Sequence, residues 1–405
     1  MKRKLSIVLL VAAICFVNCK QKEENGLPQG AFPIIYRSHL YITGQVDSIK
    51  GRYVFDTGAS NFYYDSTFFA HNSFIHKNTF KAMLPGVGKR PQSVVVIKDT
   101  IEFKFGNNLY KTSLVPVLQL KPILGDFADG ILGMQYFYNS VLEICYEKEY
   151  MKKHPSIDSI NLEGWTKIAM QKRNDRLFIP LKVDVNDSVS ISGEFLFDLG
   201  SGGSVSLTSV VSQEYNLVNS IDSKVAFFSK YGGVGGESSG YNFFASKVLL
   251  GDFTFNNVYT SFSTDASGAF ASKKYLGIIG NKILERFNVY IDFINNNLYL
   301  KPNNKFGNPF EASRLGFDYT DRTQTLKSWV VTGFHANTPA QKSGLMVDDR
   351  IIAVNDVSVE EISYHQQDSL FSNLSEVSLK VKRNNELLSF SFSLKPVLTV
   401  NSKVN

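Results

Sequence analysis

The feature that most constrains the fold of this chain is a long internal repeat. Three sequence blocks occur twice in the same order, with an offset of 142 residues for the first block and 147 for the other two. The blocks are GRYVFDTGAS (51–60) and GEFLFDLGSG (193–202), PGVG (85–88) and GGVG (232–235), and GILGMQYFYNSVLEICYE (130–147) and GIIGNKILERFNVYIDFI (277–294). A unit of about 120 residues is far longer than a solenoid repeat. The sequence therefore predicts a duplicated domain, with lobe 1 at 31–153, a connection at 154–178 and lobe 2 at 179–302.

Both copies have the residue pattern of β-structure. In each copy a short apolar run, YVF or FLF, leads into an Asp-x-Gly sequence and is bounded by glycine, as buried strands are. The chain is also rich in Tyr (19 residues) and Phe (32 residues), which favour strands. We therefore expect a mainly β protein, in which each copy also has a Gly-rich turn and a short helical stretch before its last strand.

The repeated motifs resemble those of the aspartic peptidases. FDTGAS and FDLGSG, each followed downstream by an apolar pair and glycine (ILG and IIG), are similar to the paired active-site motifs of that family. The resemblance covers residues 31–302 and implies two tandem pepsin/retropepsin-like β-lobes that form a pseudo-two-fold pair. It implies that Asp56 and Asp198 are catalytic, and that the loops carrying them are shaped by Thr57, Gly58, Leu199 and Gly200.

The chemistry implied by the resemblance needs two carboxyl groups and no cofactor. Two like charges a few Å apart do not both ionise, so the pair shares one proton, and the aspartic-protease dyad is the standard example of this behaviour. The charged member activates water as a general base, and the protonated member polarises the scissile carbonyl. We therefore expect an aspartic-type endopeptidase that acts on a peptide or protein substrate, with no metal and no cofactor.

The Gly-rich turn of each copy is a candidate flap, a β-hairpin that closes over a bound peptide. The resemblance implies this role for Gly86, Val87 and Gly88 in lobe 1, and for Gly233, Val234 and Gly235 in lobe 2. Two ordinary hairpin turns are the alternative interpretation.

Lobe 2 departs from the family pattern in its active loop. The loop reads DLG at 198–200, whereas the family has Thr or Ser at the middle position, and that hydroxyl group bonds across the lobe interface. Leu199 has no hydroxyl, so only Thr57 retains this bond, and Ser201 or Ser204 would have to compensate. The alternative hypothesis is therefore a non-catalytic peptide-binding or scaffolding lipoprotein on the same fold. A competent enzyme needs both carboxylates within reach of one water molecule, and a binding protein needs neither.

The C-terminal region resembles a PDZ domain. RLGFDY (314–319) precedes VVTGFHANTPAQKSGLMVDDRIIAVNDVSV (330–359), in which DDRIIAVND stands where the family has a GDxIxxING pattern. The preceding segment is polar and contains Gly and Pro, as linkers do. The predicted boundaries are a linker at 303–312, a PDZ domain at 313–396 and a tail at 397–405.

The PDZ resemblance implies a second peptide-binding site. Such a domain binds a peptide C-terminus by strand addition, and backbone N–H groups of one loop hold the carboxylate. In this chain Leu315, Gly316 and Phe317 correspond to that loop. Because Arg314 replaces the first glycine of this loop, the resemblance implies the PDZ fold more strongly than it implies peptide binding.

The N-terminus has the pattern of an export signal. KRK at 2–4 precedes a 13-residue apolar stretch, which is short for a membrane-spanning helix. The stretch ends near Cys19 and resembles a bacterial lipoprotein signal, in which the cysteine receives a lipid; Cys15 is the other cysteine of this segment. We expect a lipoprotein signal peptide at 1–18 and a tether at 19–30. A plain signal peptide and an uncleaved anchor are the alternatives.

These patterns also give an expected location and set of partners. A lipid on Cys19 places the protein in the cell envelope, at the outer membrane facing the periplasm or the cell surface. The formal charge is +6, of which the KRK sequence supplies half, and no dense basic block follows, so nucleic acid is excluded as a partner. The histidines show no metal-ligand spacing. Cys145 is the only cysteine beyond the N-terminal segment, and we expect a buried structural thiol.

Overall fold

The structure is a computed structural model that describes residues 26–47, 49–72, 78–84, 92–233 and 236–400. Most of the regular structure in these ranges is β-strand and the helices are short, so the predicted mainly β class is confirmed. Within the described ranges, no helix combines the length and the apolar character needed to cross a lipid bilayer.

Several sequence predictions concern residues outside these ranges. They are the signal peptide at 1–18, the lipidated Cys19, the first part of the tether at 19–30, and the flap residues Gly86, Val87, Gly88, Val234 and Gly235. Of the tail at 397–405, the structure describes residues 397–400. These features stay predictions.

Lobe 1 consists of short strands with two short helices. Its strands are β1 (Ala31–Arg37), β2 (His39–Val46), β3 (Ile49–Asp56), β4 (Phe62–Asp65), β5 (Thr79–Leu84), β6 (Gln92–Ile97), β7 (Ile101–Phe105), β8 (Asn108–Thr112), β9 (Val115–Leu118), β10 (Gly130–Gly133), β11 (Val141–Cys145) and β12 (Tyr150–His154). Its helices are α1 (Ser66–His71) and α2 (Lys121–Leu124), and a turn of 3₁₀ helix follows β10 at Met134–Phe137.

Lobe 2 and the segment before it have the same character. The strands are β13 (Thr166–Ala169), β14 (Gln171–Arg173), β15 (Arg176–Asp184), β16 (Ser190–Phe197), β17 (Val205–Leu207), β18 (Lys224–Ser229), β19 (Ser238–Leu250), β20 (Phe253–Ser263), β21 (Gly277–Ile279), β22 (Phe287–Asp292) and β23 (Asn297–Pro302). The helices are α3 (Ser209–Glu214), α4 (Leu217–Ser220) and α5 (Asn281–Leu284), with a 3₁₀ turn at Ala269–Ala271.

A separate C-terminal domain follows, with its own core around the fully buried Trp329. Its strands are β24 (Phe317–Arg322), β25 (Ser328–His335), β26 (Arg350–Val354), β27 (Val357–Ser358), β28 (Glu376–Arg383) and β29 (Glu386–Ser393), and its helices are α6 (Thr323–Leu326), α7 (Pro339–Lys342) and α8 (Gln367–Leu370). Side chains of β28 alternate between buried and exposed, as expected for a strand with one face on a core.

The sequence repeat has a counterpart in the strand pairing. In lobe 1, β3 runs parallel to β10, which pairs antiparallel with β4 on its other side. In lobe 2, β16 runs parallel to β21, which pairs antiparallel with β17. The repeated Asp-x-Gly and apolar-apolar-Gly blocks therefore lie side by side in each lobe.

One sheet joins the two lobes. Its strand order is β13-β23-β22-β11-β12-β1, and the lobes meet where β11 pairs antiparallel with β22. The predicted connection at 154–178 contains β13 and β14, and β15 already begins at Arg176, so this segment is built into the sheets. Most of the buried apolar residues of both lobes belong to one continuous hydrophobic cluster, and smaller clusters accompany it.

The predicted linker at 303–312 is a packed segment of the fold. Phe306 and Phe310 pack against the core of lobe 2. The Arg286 guanidinium donates hydrogen bonds to the carbonyl groups of Lys305 and Pro309, at 3.1 and 3.3 Å. The polar composition suggested a free linker, but the two aromatic side chains bury apolar surface and fix the chain.

The C-terminal domain contacts both lobes. Strand β25 pairs antiparallel with β18 of lobe 2, so the sheet of lobe 2 continues into this domain. On the other side, the loop at 121–129 of lobe 1 contacts β24 and α6. Strand β18 leads into the Gly-rich turn, and the loop at 121–129 carries Ile123 and Leu124, so both contact elements lie next to the cleft described below.

Candidate active site

Asp56 and Asp198 are positioned by two buried strands. Asp56 is the last residue of β3, and Asp198 directly follows β16. Gly133 and Gly280, at the ends of β10 and the β21 segment, lie directly beneath the two loops: a Cβ atom would meet the carbonyl oxygen of Asn61 at 2.5 Å in the first case and that of Gly203 at 2.6 Å in the second. Glycine is therefore required for this close packing.

The two carboxyl groups meet at the interface between the lobes. They lie close enough for the charge of Asp56 to raise the pKa of Asp198. Asp56 Oδ1 accepts hydrogen bonds from the backbone N–H groups of Gly58 at 2.7 Å and Ala59 at 3.1 Å. Asp198 Oδ1 accepts one from Gly200 at 2.8 Å. A Cβ on Gly58 would approach the Asp198 carboxyl within 2.9 Å, and one on Gly200 would approach that of Asp56 within 2.4 Å, so both glycines make room for the opposite carboxyl.

The environment separates the pKa values of the two carboxyl groups. Burial raises the pKa of Asp198 well above its ordinary value, and the charge of Asp56 and the hydrogen bond to it add to the increase. Burial also raises the pKa of Asp56, but hydrogen bonds from Asp198, Gly58 and Ala59 oppose that increase. Burial and the proximity of two like charges therefore favour a pair that shares one proton.

Thr57 braces the two loops from lobe 1. Its buried hydroxyl donates a hydrogen bond to the carbonyl oxygen of Phe197 at 2.8 Å and accepts one from the N–H of Leu199 at 2.9 Å. The Leu199 side chain is fully buried in the hydrophobic core. As the sequence predicts, Thr57 makes its bond across the interface and Leu199 offers no reciprocal hydroxyl.

A different side chain holds the Leu199 loop. Asn281 Nδ2 donates hydrogen bonds to the carbonyl oxygens of Leu199 at 2.7 Å and Ser201 at 3.1 Å. Its Oδ1 accepts a hydrogen bond from the Tyr146 hydroxyl of lobe 1 at 2.9 Å. The Ser204 hydroxyl instead bonds to the carbonyl of Tyr259 within its own lobe. The compensation therefore comes from Asn281 and Tyr146, and sequence reasoning missed both residues.

The dyad lies at the base of a cleft of about 940 Å³ that both lobes line. Its apolar walls include Ile123, Leu124 and Ile131 from lobe 1 and Phe178, Phe270 and Ile278 from lobe 2. Gly233 also lines the cleft, as the described end of the lobe 2 flap candidate.

His39 of lobe 1 lies in the cleft and is neutral near pH 7. Burial lowers its pKa to about 4, against the opposing effect of a hydrogen bond with the Gly200 backbone. No sequence pattern pointed to this residue, because a lone histidine has no characteristic spacing.

Arg176 is a further cleft residue that sequence reasoning missed. It begins β15 within the predicted connection, and its Nη1 donates a 2.6 Å hydrogen bond to the carbonyl oxygen of Gly58. Gly58 belongs to the Asp56 loop, so this guanidinium group lies beside the dyad.

The predicted PDZ loop forms one end of a second groove. Gly316 has a φ of +74°, and a Cβ there would lie 2.7 Å from that of Thr338, so glycine is required. A groove of about 670 Å³ lies between β24 and α8. One side is lined by Leu315 of the loop and Tyr319 of β24, and the other by Gln367 of α8 and Phe371, which directly follows that helix. Phe317 points into the domain core. The Arg314 guanidinium donates to the carbonyl of Leu374 at 2.8 Å, which fastens the loop to the chain after α8.

The outer edge of β24 is partly covered by lobe 1. The N–H of Asp126 donates a hydrogen bond to the carbonyl of Asp321 at 2.8 Å. Gln367 Nε2 also bonds to the Asp321 carboxylate at 2.6 Å, which joins α8 to β24 at that end. A strand added to β24 would therefore compete with lobe 1 at the Asp321 end of the strand.

Two further predictions concern the cysteine at position 145 and metal-binding side chains. Cys145 is buried and makes no disulfide. In the described ranges, no group of three or more His, Cys, Asp or Glu side chains is arranged to hold a metal ion.

Comparison with known proteins identifies one part of the chain. No curated protein matches it significantly. Residues 307–382 match the PDZ domain family, which confirms the predicted domain and starts it slightly before the predicted residue 313. Strand β29, beyond the matched segment, pairs antiparallel with β28 in the sheet of the same domain. The C-terminal domain is therefore a PDZ domain, a module that binds peptide C-termini or protein partners.

Proposed function

We propose that the protein is an aspartic-type endopeptidase in which Asp56 and Asp198 hydrolyse peptide bonds. The observation that carries this proposal is that each carboxyl group lies against the active loop of the other lobe, and that both line the same interlobe cleft. Each carboxyl is also held by backbone N–H groups of its own loop. A structural pair of acidic residues facing one another is costly unless it shares a proton, so a functional reason is favoured.

The reaction follows from the unequal protonation of the pair. A water molecule between the carboxyl groups loses a proton to Asp56 as its oxygen attacks the scissile carbonyl carbon, and Asp198 gives its proton to the carbonyl oxygen. In the second step the C–N bond breaks, Asp56 returns the proton to the leaving nitrogen, and one hydroxyl of the intermediate returns a proton to Asp198. Both carboxyl groups end in their starting states.

Two further roles complete the proposal. The PDZ domain binds a peptide or partner, with Leu315, Gly316 and Phe317 forming the carboxylate-binding loop. Lipidation of Cys19 after removal of residues 1–18 anchors the protein at the outer membrane of the cell envelope, facing the periplasm or the cell surface. A mass measurement of the purified protein and of Cys19→Ala tests the lipid, and an unmodified wild-type N-terminus contradicts it.

Digestion of a denatured protein tests the peptidase. We expect the purified chain to release peptides and pepstatin to inhibit it, and we expect Asp56→Asn and Asp198→Asn each to abolish cleavage while circular dichroism stays unchanged. Asp356→Asn is the matched control, because this carboxyl is fully exposed in the PDZ domain.

The outcomes separate the peptidase from a binding protein. Full activity in either dyad variant rejects the shared-proton mechanism. If the wild type binds peptides in the cleft without releasing products, the protein is a non-catalytic peptide-binding lipoprotein on the same fold.

A further inference from the structure

The cleft carries more positive than negative charge beside the dyad. Its charged side chains are Asp56, Asp198, Arg173, Arg176, Lys273 and Lys274. The two carboxyl groups share one proton and together contribute a single negative charge. Glu194 neutralises Arg173 through an ion pair of 2.5 Å. The single negative charge of the dyad offsets only one of the three cations that remain, Arg176, Lys273 and Lys274, so the cleft keeps a net positive charge.

Arg176 is held in the cleft by a tight hairpin. Arg173 and Arg176 are opposite each other in the β14–β15 ladder, and Asn174 and Asp175 form the turn with φ values of 47° and 54°. Such a two-residue turn with left-handed φ angles fixes the hairpin geometry. Both arginine side chains therefore leave the hairpin on the same face, toward the cleft.

The Arg176 guanidinium has unused hydrogen-bonding capacity. Among the residues that the structure describes, its guanidinium makes one hydrogen bond, the 2.6 Å contact from Nη1 to the Gly58 carbonyl oxygen, and the residue is exposed to the cleft. In the described part of the chain, no carboxylate lies within 4.0 Å of Arg176, Lys273 or Lys274. A guanidinium group has five N–H donors, which match a carboxylate in a paired, two-bond geometry.

We infer that the cleft selects peptides with an Asp or Glu side chain next to the scissile bond, and that Arg176 is the residue that binds this side chain. The inference rests on the proposed peptidase function for its substrate class. Gly58 belongs to the Asp56 loop, so a group bound to the Arg176 guanidinium lies near the reacting carbonyl. Lys273 and Lys274, on the rim of the same cleft, add attraction that salt screens.

Matched peptides test the preference. Three peptides differ only in one residue beside the scissile bond, which is Glu, Gln or Lys. We expect kcat/KM for the Glu peptide to exceed that for the Gln peptide by about 10- to 100-fold, since a hydrogen bond to a charged group is worth about 1.5–3 kcal/mol. The Lys peptide is the poorest substrate, and added salt reduces the differences.

Variants assign the preference to Arg176. In Arg176→Gln the Glu-to-Gln ratio falls close to one, and in Arg176→Glu the Lys peptide becomes the best of the three. The control is the double variant Arg173→Gln with Glu194→Gln, which removes a cation from the same hairpin without changing the net charge of the protein and retains the ratio. Each ratio is measured within one enzyme, so effects of a variant on the dyad cancel.

Peptide binding to the Asp56→Asn variant separates this inference from the proposed function. If no peptide is cleaved but the Glu peptide binds Asp56→Asn about tenfold more tightly than the Gln peptide, and only while Arg176 is present, the peptidase is wrong and the acidic selectivity stands. If all three peptides are cleaved equally by the wild type, or if the ratio persists in Arg176→Gln, the inference is overturned and the peptidase stands.

Discussion

At the residue scale, the two active loops are held by side chains from different positions of the repeat. In lobe 1 the hydroxyl group comes from Thr57, and the equivalent residue of lobe 2 is Leu199. In lobe 2 an amide group comes from Asn281, and the equivalent residue of lobe 1 is Met134. Each lobe therefore contributes one polar brace and one apolar core residue, and the dyad is supported from both sides by an asymmetric set of hydrogen bonds.

Replacing Asn281 tests this brace. Asn281→Leu leaves the carbonyls of Leu199 and Ser201 and the Tyr146 hydroxyl without their partner, and we expect the free energy of unfolding to fall by about 3 kcal/mol. The control is Met134→Leu at the equivalent position of lobe 1, a volume-conserving change that costs less than about 1.5 kcal/mol. Urea denaturation measures both values. Equal stability of the two variants means that the hydrogen bonds of Asn281 contribute nothing.

Leu199 itself provides a second prediction. Its side chain is fully buried in the core that both lobes share. We expect Leu199→Thr to lower the free energy of unfolding by about 1–3 kcal/mol, because methyl groups are lost and a hydroxyl is buried. Peptide turnover does not rise, since Asn281 already holds this loop. A gain in turnover at unchanged stability contradicts this account and indicates a weakened peptidase.

The pH dependence of cleavage follows from the two carboxyl groups. Activity needs Asp56 charged and Asp198 protonated, and burial raises the pKa of both groups above 3.8. As the pH falls, kcat/KM is lost when Asp56 takes up a proton, which occurs above pH 3.8. As the pH rises, activity persists toward neutrality because Asp198 keeps its proton. A pH profile with an uncharged peptide checks this, and a maximum below pH 3.8 contradicts it.

At the scale of elements, two short glycine-terminated segments support the active loops. These segments are β10, which pairs parallel with β3, and β21, which pairs parallel with β16. The glycine at the end of each segment, Gly133 or Gly280, lets the backbone of the active loop pack directly against it. The packed loop backbone leaves no space for a methyl group at either glycine. The loops are therefore positioned by backbone packing as well as by the polar braces.

A methyl group at Gly280 tests that packing. In Gly280→Ala the new Cβ would lie 2.6 Å from the Gly203 carbonyl oxygen and 2.7 Å from that of Ser201, so the loop must shift. We expect a loss of about 1–3 kcal/mol in the free energy of unfolding, as for overpacking, together with reduced cleavage. Gly307→Ala is the control, because no atom lies within 4 Å of its Cβ. Wild-type stability and cleavage in Gly280→Ala would contradict the packing argument.

The sequence was most informative where a pattern repeats. The duplicated Asp-x-Gly and apolar-apolar-Gly blocks predicted which strands lie together, because both copies must satisfy the same backbone geometry. Asn281 was recognisable only by comparing GILGM with GIIGN. No sequence pattern marked Arg176, because its place in the cleft depends on the β14–β15 hairpin turn and on how this hairpin packs against lobe 1. The composition of the segment 303–312 did not reveal that the partly buried Phe306 and Phe310 pack against the core of lobe 2.

At the scale of the whole molecule, the PDZ domain joins both lobes beside the cleft. It extends the sheet of lobe 2 through β18 and β25, and it contacts the lobe 1 loop at 121–129. Within that loop the buried Lys121 ammonium donates to the carbonyls of Asp126 and Ala128, at 3.0 and 2.9 Å. Tyr364 of the PDZ domain also stacks on Phe127 with ring centroids 4.0 Å apart. The loop is thus ordered from both sides, and the PDZ domain helps to fix the position of lobe 1.

Asp126 is the polar centre of that contact and provides the last prediction. Its carboxylate, 3% exposed, accepts hydrogen bonds from Arg322 Nε at 2.9 Å and from the N–H and hydroxyl of Thr325 at 2.7 and 2.9 Å. Asp126→Ala leaves the Arg322 guanidinium without its carboxylate, and the loss of one partner of such a pair costs about 3 kcal/mol or more. Because this contact ties the PDZ domain to lobe 1, we expect calorimetry to resolve a separate, earlier unfolding transition of the PDZ domain. Asp356→Asn, which removes an exposed ion pair with Lys380 within the PDZ domain and keeps a residue suited to the φ of +65° at this position, leaves the unfolding profile unchanged. If Asp126→Ala lowers the whole transition without splitting it, the strand pairing between β18 and β25 alone is sufficient to couple the PDZ domain to the lobes.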